Sequence, residues 1–376
     1  MMAINKQSKP MTCDFISLVS NSIRSLQPYR PGKPVEELER ELGISDIIKL
    51  ASNENPLGPG PMAREAATRH IGEIGRYPDG NGFVLKQEIA NRLSVPPEML
   101  TLGNGSNDVL ELAARVFASQ EDEIIFSEHA FLVYPLVTQV IGARGILVPA
   151  TDFGHDLSAM RKAITDRTRI IFIANPNNPT GTWVNATALN AFLQAVPSTV
   201  LVVVDEAYRE YVDEPNYPDC TAWLSRYPNL IVTRTFSKAY GLAGLRVGYG
   251  ISHSDIADLL NRVRQPFNVN SMALAVAAAA IEDTEHLQRT KHINDAGYKQ
   301  LTAAFDGLGL GFIPSVGNFV TVDVGRNGEE IYHRLLKEGV IVRPIGNYNL
   351  PNHLRISIGL EEENVRFIQA LKRSLR

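Results

Sequence analysis

Val200-Leu201-Val202-Val203-Val204-Asp205 is an unbroken run of valine and leucine closed by a carboxylate. A strand with one face in water alternates apolar and polar residues. A run that is apolar throughout is buried on both faces, as in a sheet covered by helices on each side. The flanking sequence fits that reading. Strand patterns at 99–102, 123–126, 145–148, 169–174, 230–233 and 247–251 are interleaved with helical patterns at 107–117, 134–141, 157–164 and 186–196. This alternation predicts an α/β fold with a mainly parallel central sheet flanked by helices.

After about Val269 the pattern changes. Long helical stretches at 272–281 and 285–305 precede strands at 319–322, 340–342 and 354–358, a helix at 328–337 and a last helix from Glu361. This is an α+β pattern and predicts a smaller second domain. The expected division is an N-terminal arm with part of the small domain over 1–50, a large domain over 51–268 and a small C-terminal domain over 269–376. Pro28, Pro31 and Pro34 predict that the polar arm up to about Pro34 is extended.

A chain of 376 residues has room for two cores, and 44% hydrophobic with 21% charged residues is an ordinary globular composition. The formal charge of −4 is dispersed, which argues against a nucleic-acid surface. Cys13 and Cys220 have no metal or redox spacing, and the eight histidines form no ligand cluster. No metal and no disulfide scaffold are expected. No apolar run reaches membrane-spanning length, and 1–10 lacks an apolar signal core. The expectation is a cytoplasmic protein with no membrane partner.

In open α/β sheets ligands bind beyond the carboxyl ends of the strands, and four polar segments fall at such ends. Thr235-Phe236-Ser237-Lys238 follows the strand at 230–233. A lysine there is hard to explain by packing, because an unpaired ammonium is costly to bury, and a lysine of lowered pKa forms Schiff bases with carbonyls. Asp205 alone fits a capping or ion-pairing carboxylate; it equally fits one that keeps a pyridine nitrogen protonated. Asn175-Pro176-Asn177-Asn178-Pro179-Thr180-Gly181 is good turn chemistry, and Asn178 beside proline also suits a rigidly placed amide donor. Gly103-Asn104-Gly105-Ser106-Asn107 joins a strand to a helix, where small residues and free N–H groups suit a phosphate, although Ser106 also fits a simple N-cap. Thr235, Ser237 and Arg246 would complete an anion cup.

In this order, over about 29–355, the segments resemble the fold type I, pyridoxal-phosphate-dependent aminotransferases of class I and II. The resemblance implies that Lys238 carries pyridoxal 5'-phosphate as a Schiff base and moves the substrate proton. It implies that Asp205 faces the pyridine nitrogen and that Tyr208 and Asn178 bond the ring's phenolate oxygen. Gly105, Ser106, Asn107, Thr235, Ser237 and Arg246 would hold the phosphate, and Tyr134 would stack on the ring. His129 stands where a proline is commoner in the family.

Ala51-Ser52-Asn53-Glu54-Asn55-Pro56-Leu57-Gly58, Arg76-Tyr77-Pro78-Asp79, Pro28-Tyr29-Arg30-Pro31-Gly32, Val340-Ile341-Val342-Arg343-Pro344 and His353-Leu354-Arg355-Ile356-Ser357 resemble the histidinol-phosphate aminotransferase subfamily. That implies a reaction of histidinol phosphate with 2-oxoglutarate, giving glutamate. It also implies a homodimer in which Tyr77 reaches the neighbouring subunit's cofactor, and Tyr29, Asn55, Arg343 and Arg355 as substrate-binding residues. Three readings stay open beside it: an aromatic aminotransferase, a threonine-phosphate decarboxylase and a cofactor-binding regulator. The last is disfavoured, because an arm of about 25–30 residues is too short for a DNA-binding module.

Overall fold

The computed structural model describes residues 14–28 and 32–376. Its large sheet has seven strands, in the order Leu100–Gly103, Gly248–Ser252, Leu230–Thr235, Leu201–Asp205, Thr168–Ala174, Glu123–Ser127 and Arg144–Val148. All neighbours run parallel except Gly248–Ser252, which is antiparallel to both strands beside it. The run that ends in Asp205 lies at the centre. Val200, Val202 and Val204 face one apolar core, and Leu201 and Val203 face the other. Both faces are therefore buried, which is why no polar residue interrupts the run.

Helices cover both faces, and local chemistry starts many of them. Asp156, Asn185, Asn270 and Asp283 each accept a backbone N–H in the first turn of the helix that follows. A second sheet of four antiparallel strands runs Arg343–Pro344, His353–Ser357, Phe319–Asp323 and Phe312–Ile313. It packs its own core, with Leu301, Phe305, Ile331 and Phe367 from the covering helices. Ile48–Lys49 pairs in parallel with Val340–Ile341, and Leu50 enters that core.

Two local expectations change. The described part of the arm is not extended throughout. Asp14 and Ser20 cap a 3-10 turn at Phe15–Leu18 and a one-turn helix at Asn21–Arg24, and hydrogen bonding by these short side chains overrides the extended bias. The helix Ser271–Ala280 packs against Pro61–His70 and Phe83–Leu93, and its Ala273, Val276 and Ala277 belong to the large sheet's core. A boundary at 268/269 therefore cuts through one apolar cluster.

Candidate active site

The strand register assembles the site. Ala174, Asp205 and Thr233 are successive partners across three parallel strands, so their carboxyl ends open on one line. A single cavity there is lined by Lys238, Asp205, Tyr208, Asn178, Ser106, Asn107, Thr235, Ser237, Arg246, Arg343 and Arg355. These residues come from seven separate stretches of chain.

Phe236 anchors the lysine turn. Its fully buried ring packs between Tyr240 and Tyr249, and this turns Ser237 and Lys238 out of the core. Lys238 Nζ donates to the Ser52 carbonyl at 2.9 Å. Burial pushes the Lys238 ammonium down to about 7; Arg355 and Arg246 push the same way, against Glu54 and Asp205.

Asp205 is held by neutral donors. Tyr134 Oη donates to Oδ2 at 3.0 Å and Thr233 Oγ1 to Oδ1 at 3.1 Å. Burial pushes the carboxyl up to about 6, and those two hydrogen bonds oppose the shift. The Tyr208 hydroxyl, raised to about 12 chiefly by burial, accepts from Asn53 Nδ2 at 2.8 Å. Asn178 Oδ1 accepts from Arg355 Nη1 at 2.5 Å, which leaves the Asn178 NH2 group as the donor side of the amide. Arg355 Nη2 donates to the Ala51 carbonyl at 2.6 Å.

An anion cradle forms where the helix Ser106–Phe117 begins. Gly105 turns at φ +83°, and a Cβ there would lie 2.4 Å from Arg246 Nη2; a Cβ on Gly248 would lie 2.4 Å from Ser106 N. Only glycines permit this approach of guanidinium and helix N-terminus. Arg246, itself left-handed at φ +58°, donates to Ser237 Oγ at 3.3 Å, and Thr235 Oγ1 accepts from Ser237 N at 3.1 Å.

Three expected side chains do not line this cavity. Tyr134 is fully buried and does not line the cavity; its ring stacks on Phe172 at 4.7 Å, and its hydroxyl is spent on Asp205. Phe131, one turn earlier, presents its side chain to the cavity instead. Asn55 is a clamp outside the cavity. Its Nδ2 donates to the Ala239 carbonyl and Thr290 Oγ1, and its Oδ1 accepts from Leu57 N, so each of its polar atoms is spent on the fold. Tyr77 is 84% exposed and stacks on Phe267 at 4.9 Å, away from this chain's own cavity. Tyr29 lies outside the described residues.

Sequence reasoning missed Asn53, Phe131 and Tyr348, all on the cavity wall. Asn53 sat within a quoted motif and Phe131 lies between His129 and Tyr134, but neither carried an individual signal. Tyr348 follows Gly346-Asn347 in a loop that reads as an ordinary turn.

The sequence model of the aminotransferase class I and II family matches residues 45–371. The histidinol-phosphate aminotransferase 1 of Nitrosococcus oceani is 60% identical over 95% of this chain and 97% of its own. The histidinol-phosphate aminotransferase 2 of Pseudomonas fluorescens is 58% identical over 97% and 99%. Among solved structures, histidinol-phosphate aminotransferase from Sinorhizobium meliloti in complex with pyridoxal-5'-phosphate superposes with a TM-score of 0.89 at 30% identity, covering 96% of this chain and 98% of that one. This chain belongs to the class I and II aminotransferases and, within them, to the histidinol-phosphate aminotransferases.

Proposed function

We propose that the chain exchanges an amino group between L-histidinol phosphate and 2-oxoglutarate, giving imidazole acetol phosphate and L-glutamate, on pyridoxal 5'-phosphate held at Lys238. The observation that carries this reading is one cavity that holds a lysine of near-neutral basicity, a strand-end carboxylate, an anion cradle and two further guanidiniums, Arg343 and Arg355.

The residues fit the cofactor group by group. The cradle of Gly105, Ser106, Asn107, Thr235, Ser237 and Arg246 suits a phosphate: a guanidinium, hydroxyls and helix N–H groups converge where two Cβ atoms would not fit. Asp205, already bonded by Tyr134 and Thr233, has the charge to hold a pyridinium nitrogen. The Asn178 amide and the Tyr208 hydroxyl supply donors for a ring oxygen. Phe131 suits the ring face. When bound, the cofactor supplies an electron sink for the carbon that loses its proton. Lys238 supplies the amine that takes that proton and returns it, and a pKa near the working pH suits both directions.

Arg355 and Arg343 suit the substrate anions. A guanidinium binds a carboxylate or a phosphate through paired N–H donors, so one site serves glutamate's carboxylate in one half-reaction and the phosphate of histidinol phosphate in the other. We also infer a homodimer with shared sites. The exposed Tyr77–Phe267 stack, with Phe83 and Val84 exposed on the adjacent helix, is the face that suits a second copy. Among the described residues no helix is long and apolar enough to cross a membrane.

A donor panel tests the reaction. Histidinol phosphate with 2-oxoglutarate is expected to give glutamate faster than phenylalanine or tyrosine does. A large preference for phenylalanine, or release of CO2 without glutamate, would reject the assignment.

A further inference from the structure

Asn53 is 1% exposed and held in the left-handed region at φ +54°, which asparagine tolerates better than other side chains bearing a Cβ. Four hydrogen bonds meet on it. Its N–H donates to Ser357 Oγ at 2.7 Å, and Ser357 Oγ donates back to its Oδ1 at 3.2 Å. Asn318 Nδ2 donates to its carbonyl at 3.0 Å. Its Nδ2 donates to the Tyr208 hydroxyl oxygen at 2.8 Å.

A tyrosine hydroxyl has one proton, and an amide nitrogen has no lone pair to receive it. With Asn53 donating, the Tyr208 proton must serve another acceptor. The Tyr208 ring is fixed, 4% exposed with its edge against Phe319 at 5.2 Å, so the direction of that proton is the one freedom left at the hydroxyl. The ring stands on the wall of the cavity that also holds the Asn178 amide, and the charges that face it are Arg355, Asp205 and Lys238.

We propose that Asn53 is a positioning residue: oriented by Ser357, it occupies the acceptor side of the Tyr208 hydroxyl and so commits that proton to the ring oxygen of the bound cofactor. This rests on the reading of Tyr208 in the proposed function. The three residues come from the loop after Ile48–Lys49, the end of the small-sheet strand His353–Ser357 and the turn after Leu201–Asp205. The small sheet thereby sets a hydrogen-bond direction at the end of the large one.

The test is the pH midpoint of the visible absorption band in cofactor-loaded protein. Tyr208→Phe removes the donor and is expected to raise the midpoint by about 1–2 pH units, the size of one hydrogen bond to a charged oxygen. Asn53→Asp keeps the left-handed backbone but can only accept, so it captures the Tyr208 proton and raises the midpoint by a similar amount. Asn53→Gly, which relieves backbone strain and merely frees the hydroxyl, is expected to give less than half that shift. Added to Tyr208→Phe, Asn53→Asp is expected to give no further shift; a purely electrostatic effect of the new carboxylate would persist there and overturn the proposal. Where Asn53→Asp does not fold, Ser357→Ala releases the amide's orientation and is expected to shift the midpoint in the same direction. The inference fails if Tyr208→Phe moves the midpoint while Asn53→Asp, or Ser357→Ala in its place, does not. If Tyr208→Phe itself leaves it unmoved, the reading of the cofactor site fails instead. Melting temperature alone would move if Asn53 were merely structural.

Discussion

Tyr134→Phe separates two ways in which this tyrosine could serve the site. If Tyr134 stacked on the cofactor ring, the phenyl group would keep the stack and the substitution would be silent. In the structure the ring is buried against Phe172, and the hydroxyl donates to Asp205 Oδ2 at 3.0 Å. Losing that bond must act through Asp205. Burial has already pushed the Asp205 carboxyl up to about 6, with Tyr134 and Thr233 holding it down. A hydrogen bond to a charged group contributes about 1.5–3 kcal/mol, and about 1.4 kcal/mol is one pH unit, so the carboxyl climbs to about 7–8. At pH 7 its ionised share falls from about 90% to about 10–50%.

Only the ionised carboxylate holds a protonated pyridine nitrogen, so cofactor affinity is expected to fall about 2–9-fold at pH 7. The sign of the pH dependence follows. The native carboxyl of the variant titrates higher, so the loss grows as pH falls from 9 towards 6 and nearly vanishes by pH 9, where both proteins are ionised. Titrating apoprotein with pyridoxal 5'-phosphate across pH 6–9 measures it. Equal affinity at pH 7, or a loss of the same size at pH 7 and pH 9, would refute the reasoning.

Glu210 carries a second pH effect, this one on stability. Burial raises its carboxyl from 4.5 to about 7, against the pull of Arg234. The native chain then keeps a proton that the unfolded chain has lost, so stability declines as pH rises from about 4.5 to about 7 and the whole deficit remains above that. Glu210→Gln is expected to stabilise the apoprotein by up to about 3 kcal/mol at pH 8 and to change little at pH 4; urea titrations at the two pH values check it, and an equal gain at both would contradict the assignment. The shared-site homodimer is tested by complementation. Lys238→Ala and Tyr77→Ala, each crippled alone, should on mixing and reassembly recover about a quarter of the wild-type sites, because half the dimers are hybrids with one intact site of two. No recovery from a mixture proven to contain hybrids would exclude it.

Strand ends were legible because burial on both faces demands apolar residues, so the first polar residue after each run marks the open edge of the sheet. Asp205 announces itself in this way, and Asn178 and Lys238 lie in the polar segments that follow the runs ending at Ala174 and Val232. Side-chain direction at the start of a helix is a weaker signal. Phe131 and Tyr134 are one turn apart and both aromatic, and which one meets the cavity depends on how the Phe131–Val133 backbone enters the helix. Asn55 and Asn53 stand two residues apart in one motif, and only the left-handed backbone at Asn53 turns that side chain toward Tyr208. The alanine-rich helix Ser271–Ala280 was legible as a helix, but the expected division at 268/269 set it with the small domain, since alanines pack against any close neighbour and name no partner.

The cations around Lys238 tie its protonation to what the site holds. Burial, the largest cause of its lowered basicity, is fixed by the fold. The next, Arg355, and the smaller Arg246 are guanidiniums that the proposed function gives to anions. An anion seated on either one cancels part of its push on the amine, so the amine becomes more basic as the site fills. Linkage makes this reciprocal: whatever free energy the anions add to protonating Lys238, a proton on Lys238 adds to binding the anions. A lysine that must accept a proton from the substrate carbon gains driving force only while substrate is in place, and gives it up when the product anion leaves. Arg355, placed to grip substrate, thus also times the lysine, and replacing it would disturb proton transfer as well as binding.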